Sequence, residues 1–466
     1  MFERPQASHD IGRDTSERAQ VLGLVRRHGW NATSFQILER GFSYWFDGDA
    51  CVAYVDTGAA WVAAGAPIAA EARVGEVARA FVVAASRARR RACFFGTEQR
   101  FIGAAAFQHL LIGEQPVWDP GRWRAILQAT PSLREQLRRA RAKGVSVSRV
   151  GADECVPGAP LRRSIDALIA GWQGSKAMPP MGFLVCVDPF ELAGERRLFV
   201  ARRVAADGPR VVGFAAVVPV YARRGWFLDD LIRAPTAPNG TTELLVDAAM
   251  NDAAENGSEY LTLGLSPLAG DVAPSLSFAR RYTRPLYDFG GLRAFKAKFR
   301  PQCWAPIHLS YPEGETAFGA VYQSLRAFAR RGLGGYALEA LLRGPDLVLR
   351  VLAWLLLPWT LLLASPPAAR WFPAPWVQWA WVVFDLALCA GLLVLGRRFR
   401  PWLSRLIVVA VSLDACLTLA QALLFNVKHV RGGADAAVVL VAVLAPAVAS
   451  RILANAHRRA RRVYGH

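Results

Sequence analysis

Hydrophobic and polar positions along the chain fall into two regimes that meet near Pro312. Before it, short apolar runs alternate with amphipathic stretches. The run Val211 to Val220 is rich in β-branched residues and bounded by Gly and Pro, which predicts a buried strand. Gly225 to Ile232 predicts a second strand carrying two acids, Asp229 and Asp230, which strict alternation would turn to opposite faces. The turn Ala237-Pro238-Asn239-Gly240 then leads into a helix over Thr241 to Glu255. A strand over Tyr260 to Leu265 follows, and Gly291 to Phe299 and Trp304 to Leu309 close the stretch. Upstream, Tyr44 to Phe46, Ala50 to Val55 and Ala59 to Gly65 read as strands, Ala70 to Arg90 as a helix and Arg91 to Gly96 as a strand. Thr130 and Pro131 mark a helix start, as N-cap and first helical residue. That helix runs to Lys143 with Leu133, Leu137 and Ala140 on one face. Trp172 to Phe183 reads as a helix end followed by a loop.

Beyond Pro312 an amphipathic helix (Glu315 to Arg331) and a flexible linker (Gly332 to Gly335) precede four apolar stretches: Leu347 to Ala364, Trp376 to Gly396, Leu406 to Phe425 and Ala434 to Ala449. Each is near the roughly 20 residues that cross a bilayer, the first and last only with their flanks. Arg397, Arg398 and Arg400 fall on one side with the basic tail Arg458 to Arg462, so the positive-inside rule puts both the preceding domain and the C-terminus in the cytoplasm. Asp385 and Asp414 lie inside two of the stretches; helix–helix pairing is the first expectation for them and a role in lipid handling the second. The first twenty residues are polar, without the apolar core of a secretory signal. The expected organisation is a polar arm (1–20), two α/β domains (21–150 and 151–313), a helix and linker (314–346), four membrane helices (347–456) and a basic tail (457–466).

With 466 residues, 53% of them apolar, and a net charge of +19, the chain favours an anionic partner such as nucleic acid or anionic lipid. Its seven cysteines lie far apart and its histidines lack ligand spacing, which implies no disulfide framework and no metal, and no cofactor is expected. Arg134, Arg138 and Arg141 form a ladder on one face of their helix, suited either to a phosphate backbone or to solvent. In 21–150 no cluster of charge is strong enough to carry chemistry.

Strand, strand, helix, strand around a charged crevice is the skeleton of an N-acetyltransferase-type acyl-transfer domain. Within it stand Asp230-Leu231-Ile232-Arg233, Pro238-Asn239-Gly240, Leu263-Gly264-Leu265-Ser266-Pro267-Leu268-Ala269-Gly270 and Phe295-Lys296-Ala297-Lys298-Phe299. In order and spacing these four blocks resemble the cytosolic domain of phosphatidylglycerol lysyltransferases and alanyltransferases, over about residues 20 to 313. The resemblance implies an α/β (α+β) fold of tandem N-acetyltransferase-like domains, here followed by a four-helix transmembrane region. It also implies transfer of an aminoacyl group from aminoacyl-tRNA to the hydroxyl of phosphatidylglycerol. In the best-known members many membrane helices precede the catalytic domain; here few follow it.

By this resemblance Asp230, as general base or as the group that binds the substrate amine, heads the catalytic candidates with Arg233 and Lys296 in a cationic cleft. Lys298, Arg293, Asn239, Gly240, Glu243, Ser266, Trp172 and Lys176 are the substrate-binding candidates, and Arg134, Arg138 and Arg141 the tRNA contacts. Glu243 stands where the family tends to have Asp, and Ser266 where Ala is usual. If residues 291 to 300 are helical, Arg293, Lys296 and Arg300 share one basic face. The segment from Arg233 to Gly240 has two prolines and one glycine, a poor cradle for a CoA pyrophosphate. The alternatives are tRNA-dependent transfer to another lipid, peptide or cell-wall precursor, an acyl-CoA N-acyltransferase, and a non-catalytic membrane module that binds anions. Oligomeric state is left open.

Overall fold

The computed structural model describes residues 6–104, 107–176, 178–205, 208–270, 272, 288–329, 332–343, 345–397 and 400–464. The chain divides into two compact units, Met1–Gly174 with Pro180–Leu333, and Ser175–Pro179 with Gly334–His466.

The first unit opens with helix α1 (Gln6–His28), then strands β1 (Ser43–Asp47), β2 (Ala50–Asp56) and β3 (Ala60–Ala64), helix α2 (Val74–Arg87) and strand β4 (Arg91–Thr97). Helix α3 (Gln99–Ala104), strand β5 (Gln108–Trp118), helices α4 (Trp123–Ala129) and α5 (Pro131–Ala142), strand β6 (Val145–Val150) and helix α6 (Pro160–Ser175) follow. Then come β7 (Arg197–Ala205), β8 (Gly208–Val220), β9 (Gly225–Arg233), helix α7 (Thr241–Glu255), β10 (Tyr260–Thr262), β11 (Ser266–Pro267), helix α8 (Phe289–Ala297), β12 (Cys303–Tyr311) and helix α9 (Ala317–Phe328). The strands form one mixed sheet in the order β1-β2-β3-β4-β12-β5-β10-β9-β8-β7-β6, with β11 on β5. β12, from the far end of the unit, inserts between β4 and β5 and pairs with both, so the sheet is continuous across residue 150.

Most elements follow the hydrophobic pattern closely. α7 begins and ends where the pattern places it, and α5 buries Leu133, Leu137 and Ala140 as its periodicity requires. Some details differ. Thr130 precedes α5, but its side chain makes no capping bond there; Pro131 at the first turn fixes the start. The helix expected over Ala70 to Arg90 is the shorter α2, entered through a 3-10 turn at Glu71–Arg73. The expected flexible linker at Gly332 to Gly335 is helical, opening helix α10 (Gly332–Arg343).

Gly240 holds the most constrained turn. Its φ is +96°, and a Cβ there would stand 2.8 Å from the Gln136 carbonyl oxygen and 2.8 Å from the Ala140 Cβ. The α7 N-terminus can therefore press against α5 only with glycine at this position. Gly240→Ala is expected to cost about 2 kcal/mol of stability, read as a lower thermal midpoint of the full chain in detergent.

The second unit holds helices α11 (Pro345–Leu363), α12 (Pro375–Arg397), α13 (Pro401–Leu424) and α14 (Gly433–Tyr464). Three segments, Pro375–Leu395, Pro401–Leu424 and Gly433–Asn455, are long and apolar enough to cross a membrane, whereas the apolar part of α11 is the shorter Leu349–Leu363. Helices stand at all four expected stretches, and among the described residues three of them have full spanning length. Leu349, Ala353, Leu392, Ile407, Val411 and Leu453 meet in their core, while Trp354, Leu361, Trp376, Val409 and Leu424 are exposed. Apolar side chains both inside and outside mark a bundle whose solvent is lipid.

Candidate active site

Sheet register fixes the site before any side chain is considered. β10 runs parallel to β9 for only three pairs, ending at Thr262 opposite Phe227. β9 continues to Arg233, paired throughout with β8 on its other side. Beyond Phe227 the strands part and leave a crevice between the second half of β9 and the segment after β10. Gly264, with φ +69°, makes room for the parting: a Cβ there would stand 2.5 Å from the Phe227 ring. After Thr262 the chain turns to pair with β5 through β11, so β9 from Leu228 onward has β8 alone as its strand partner.

On β9 the register slips between Ala216 and Val217 of β8: Leu228 faces Val217 and Asp230 faces Ala216, so Asp229 is an extra residue. This β-bulge overturns the expectation that the two acids point apart. Trp226 and Leu228 pack against the α7 core, as does Leu231, whereas Ile232 packs with α6. The alternation has therefore been reset, and Asp229 and Asp230 share the face away from α7. Both side chains are buried.

Around them the charge is the reverse of a cationic cleft. Arg196 is buried to within 1% of its side-chain area and donates to Asp229 at 3.0 Å, to the Glu191 carbonyl at 2.9 Å and to Glu39 at 3.5 Å. Gln36 donates to the second Asp229 oxygen at 2.7 Å and to the Leu184 carbonyl at 3.0 Å. Asp230 and Glu39 each keep one buried carboxylate oxygen without a partner. Burial first, and the neighbouring Asp229 second, push the Asp230 carboxyl well above its ordinary range and the Glu39 carboxyl up to about 9, against the pull of Arg196. Asp188 adds to the repulsion at Asp230. Three acids thus face one guanidinium, and the cluster is short of positive charge.

Glu39, Gln36 and Arg196 are members of the cluster that sequence reasoning did not single out, and Glu39 and Gln36 bring charged and polar groups to it from 21–150. Their one signal is Gln36 and Glu39 at i and i+3 around the apolar pair Ile37-Leu38, polar groups in a segment that is buried throughout.

Lys296, the other titratable candidate, meets the segment after β10 and makes no contact with the acid cluster among the described residues. It is buried, and its Nζ donates to the carbonyls of Gly264 at 2.8 Å and Leu265 at 2.9 Å. Burial lowers its pKa to about 7. The expected basic face on α8 does not form. Lys296 points inward and Arg300 lies past the helix end at φ +50°. Arg293 stacks 4.5 Å from the Trp304 ring and pairs with Glu114 at 3.2 Å. Lys298, the C-cap of α8, pairs with the buried Glu243 of the first α7 turn at 3.4 Å. Ser266 is fully buried, pairs through its backbone with Glu114, and has no partner for its hydroxyl.

Arg233 ends β9 on the opposite face from Asp230 and lies 3.5 Å from the Asn239 side-chain oxygen; the structure does not bring it into the acid cluster. Trp172, near the end of α6, packs against the core that includes Ile165, Leu168 and Phe214, and Lys176 falls in the short segment that groups with the second unit. The three ladder arginines have local partners. Arg134 donates to the Leu127 and Gln128 carbonyls that end α4, Arg138 pairs with Glu135 at 2.7 Å, and Arg141 pairs with the buried Asp247 at 2.8 Å.

A protein-family model described as phosphatidylglycerol lysyltransferase, C-terminal, matches residues 23–311. Phosphatidylglycerol lysyltransferase of Bacillus subtilis is 34% identical over 151 residues, 30% of this chain and 17% of that protein. An uncharacterised protein of Corynebacterium glutamicum is 26% identical over 175 residues, 35% of this chain and 22% of its own length. The matched region spans less than a quarter of either relative. Among solved structures, the C-terminal domain described as that of a lysylphosphatidylglycerol synthetase from Agrobacterium fabrum aligns with a TM-score of 0.58 at 22% identity, over 69% of this chain and 100% of that one. The structure of L-PGS from Bacillus licheniformis aligns with a TM-score of 0.56 at 20% identity, over 67% and 97% of the two chains. At these identities the likeness is one of fold.

Proposed function

This chain belongs to the phosphatidylglycerol lysyltransferase C-terminal family, and from that membership and the charge of its crevice we propose that it is a membrane-bound aminoacyltransferase. It moves an aminoacyl group from aminoacyl-tRNA to the hydroxyl of phosphatidylglycerol or a related membrane lipid. The observation that carries this reading is the buried acid cluster at the parted strands: two partnerless carboxylate oxygens call for a cation, and the α-ammonium of an aminoacyl ester supplies one. Asp230 and Glu39 hold that ammonium, and Arg196 with Gln36 keeps Asp229 in place beneath them.

In the reaction the lipid hydroxyl oxygen bonds to the ester carbonyl carbon, the bond from that carbon to the tRNA ribose oxygen breaks, and the hydroxyl proton passes to the ribose oxygen. Lys296 is suited to carry that proton. Two of its N–H groups are held by the Gly264 and Leu265 carbonyls. The remaining position on Nζ is a lone pair above about pH 7 and an N–H donor below it. The rate is therefore expected to rise with pH through a midpoint near 7. In Lys296→Met the profile should be flat and the rate lower by roughly 100-fold or more, measured as initial rates with charged tRNA and lipid vesicles. A wild-type profile flat from pH 6 to 8 removes Lys296 from the chemistry.

An acyl-CoA donor is disfavoured by the α7 N-terminus. α5 lies against Gly240 there, and the first turn carries the buried carboxylate of Glu243; a pyrophosphate would meet a bulky neighbour and a like charge. The four-helix unit confines the enzyme to the bilayer that holds its acceptor, which raises the effective concentration of that acceptor. Its loop charges favour a cytoplasmic catalytic unit. The direct test incubates the purified chain with phosphatidylglycerol and individually charged tRNAs and reads aminoacylated lipid by mass spectrometry. No product with any charged tRNA would refute the reading.

A further inference from the structure

The second unit holds a half-open cavity of about 450 Å³ lined by α11, α12, α13 and α14. Most of the wall is apolar or aromatic, including Leu352, Leu356, Trp359 and Trp381, and two carboxylates, Asp385 and Asp414, face it. Asp385 is only 4% exposed, and its Oδ2 has no hydrogen-bond partner. Asp414 accepts a bond from Thr418 at 3.1 Å. Neither acid has a cationic partner among the described residues. Arg370, the basic side chain on the wall, is tied to Asp435 at 2.6 Å, and the amide of Gln421 is committed to the Trp371 carbonyl at 2.9 Å. Helix–helix pairing, the expectation from sequence, is met in part: the Thr360 hydroxyl of α11 pairs with Asp385 of α12, while the Asp385 Oδ2 has no partner and both acids line the cavity.

Carboxylates kept inside a lipid-embedded bundle are costly and are retained for a partner. Here the cavity sets the partner's chemistry. The acids ask for positive charge, the indole faces favour an ammonium group, and the aliphatic wall asks for a hydrocarbon chain. We propose that this cavity binds an amphipathic amine, with its ammonium group between Asp385 and Asp414 and its chain along Leu352 and Leu356. The site is separate from the acid cluster of the first unit and does not depend on the transfer reaction. A lipid carrying an amino group in its headgroup and a free long-chain amine share this chemistry.

The test uses the full chain in phosphatidylcholine nanodiscs and follows tryptophan fluorescence, since Trp359, Trp371 and Trp381 line the cavity. Titration with dodecylamine is expected to give a saturable change at concentrations at least tenfold below those needed with dodecanol. Asp385→Asn and Asp414→Asn should each weaken the amine tenfold or more, and the double variant should bind amine and alcohol alike. A synthetic aminoacyl-phosphatidylglycerol in the discs that competes with dodecylamine identifies a lipid-borne amine as the ligand; saturable dodecylamine binding without that competition identifies a free amine. Equal affinity of the wild-type chain for amine and alcohol overturns the proposal, and this comparison needs no variant to fold. Amine binding unchanged in the double variant overturns it as well. Aminoacyl transfer is assayed separately, so an inactive enzyme that binds the amine, or an active one that does not, tells the two conclusions apart.

Discussion

Asp230→Asn is expected to lower aminoacyl-lipid formation by at least 100- to 1,000-fold while leaving the fold intact. The change is nearly isosteric, and Asp230 makes no hydrogen bond that the fold depends on; one of its oxygens is buried without a partner. An amide in that place removes a desolvated carboxyl that sits beside Asp229, so thermal stability should hold or rise. What the amide cannot do is meet an ammonium group with a full negative charge. Loss of product with an unchanged or higher melting midpoint is the expected pair of results. Full activity in Asp230→Asn would remove the residue from the site, and loss of both activity and folding would make its role structural.

Arg196→Met should give the largest stability loss of any single substitution in the first unit, about 3–5 kcal/mol. Its guanidinium is the positive charge in direct contact with Asp229 and Glu39, and its removal leaves buried carboxylates with no counter-charge. Glu39→Gln is the contrasting case. A carboxyl held at about 9 is protonated at neutral pH in the substrate-free chain, so the amide replaces a neutral group and should leave stability at pH 7 nearly unchanged, while weakening the hold on the substrate ammonium. The sign with pH follows from linkage. Because the folded state keeps that proton while the unfolded chain, near 4.5, has released it, the contribution is full below about 4.5 and is lost as pH rises to about 9. Glu39→Gln should flatten that decline in melting curves taken between pH 6 and 9. A wild-type curve without the decline would mean that Glu39 is ionised in the folded chain.

The outline of this protein was legible in its sequence because its signals are local. The β-branched run of β8, the turn and periodicity of α7, and the Pro131 start of α5 each follow from preferences a few residues long. The long apolar stretches of the C-terminal unit were as plain, and the family motifs led to Asp230 and Lys296. The same local logic failed where one residue altered a register. A bulge at Asp229 cannot be read from alternation, since the pattern on either side of it is regular; only pairing with β8 reveals the extra residue. The expected basic face of α8 failed for a related reason: helical spacing says which side chains are neighbours, but not that Lys296 is the one turned to the interior.

Sequence by itself determined the α/β class, the family and the long apolar helices, and it supplied Asp230 and Lys296 as candidates, all carried by short-range pattern. Tertiary structure alone decided the electrical character of the site. A net charge of +19 says nothing about a buried spot where Glu39, Arg196 and Asp229 converge from segments far apart in the chain. Electrostatic energy inside a protein depends on distance and on removal from water, and neither exists until the strands have paired. Asp385 and Asp414 obey the same rule: their positions in apolar helices were visible in the sequence, but that they share one cavity was settled only when four helices packed around it.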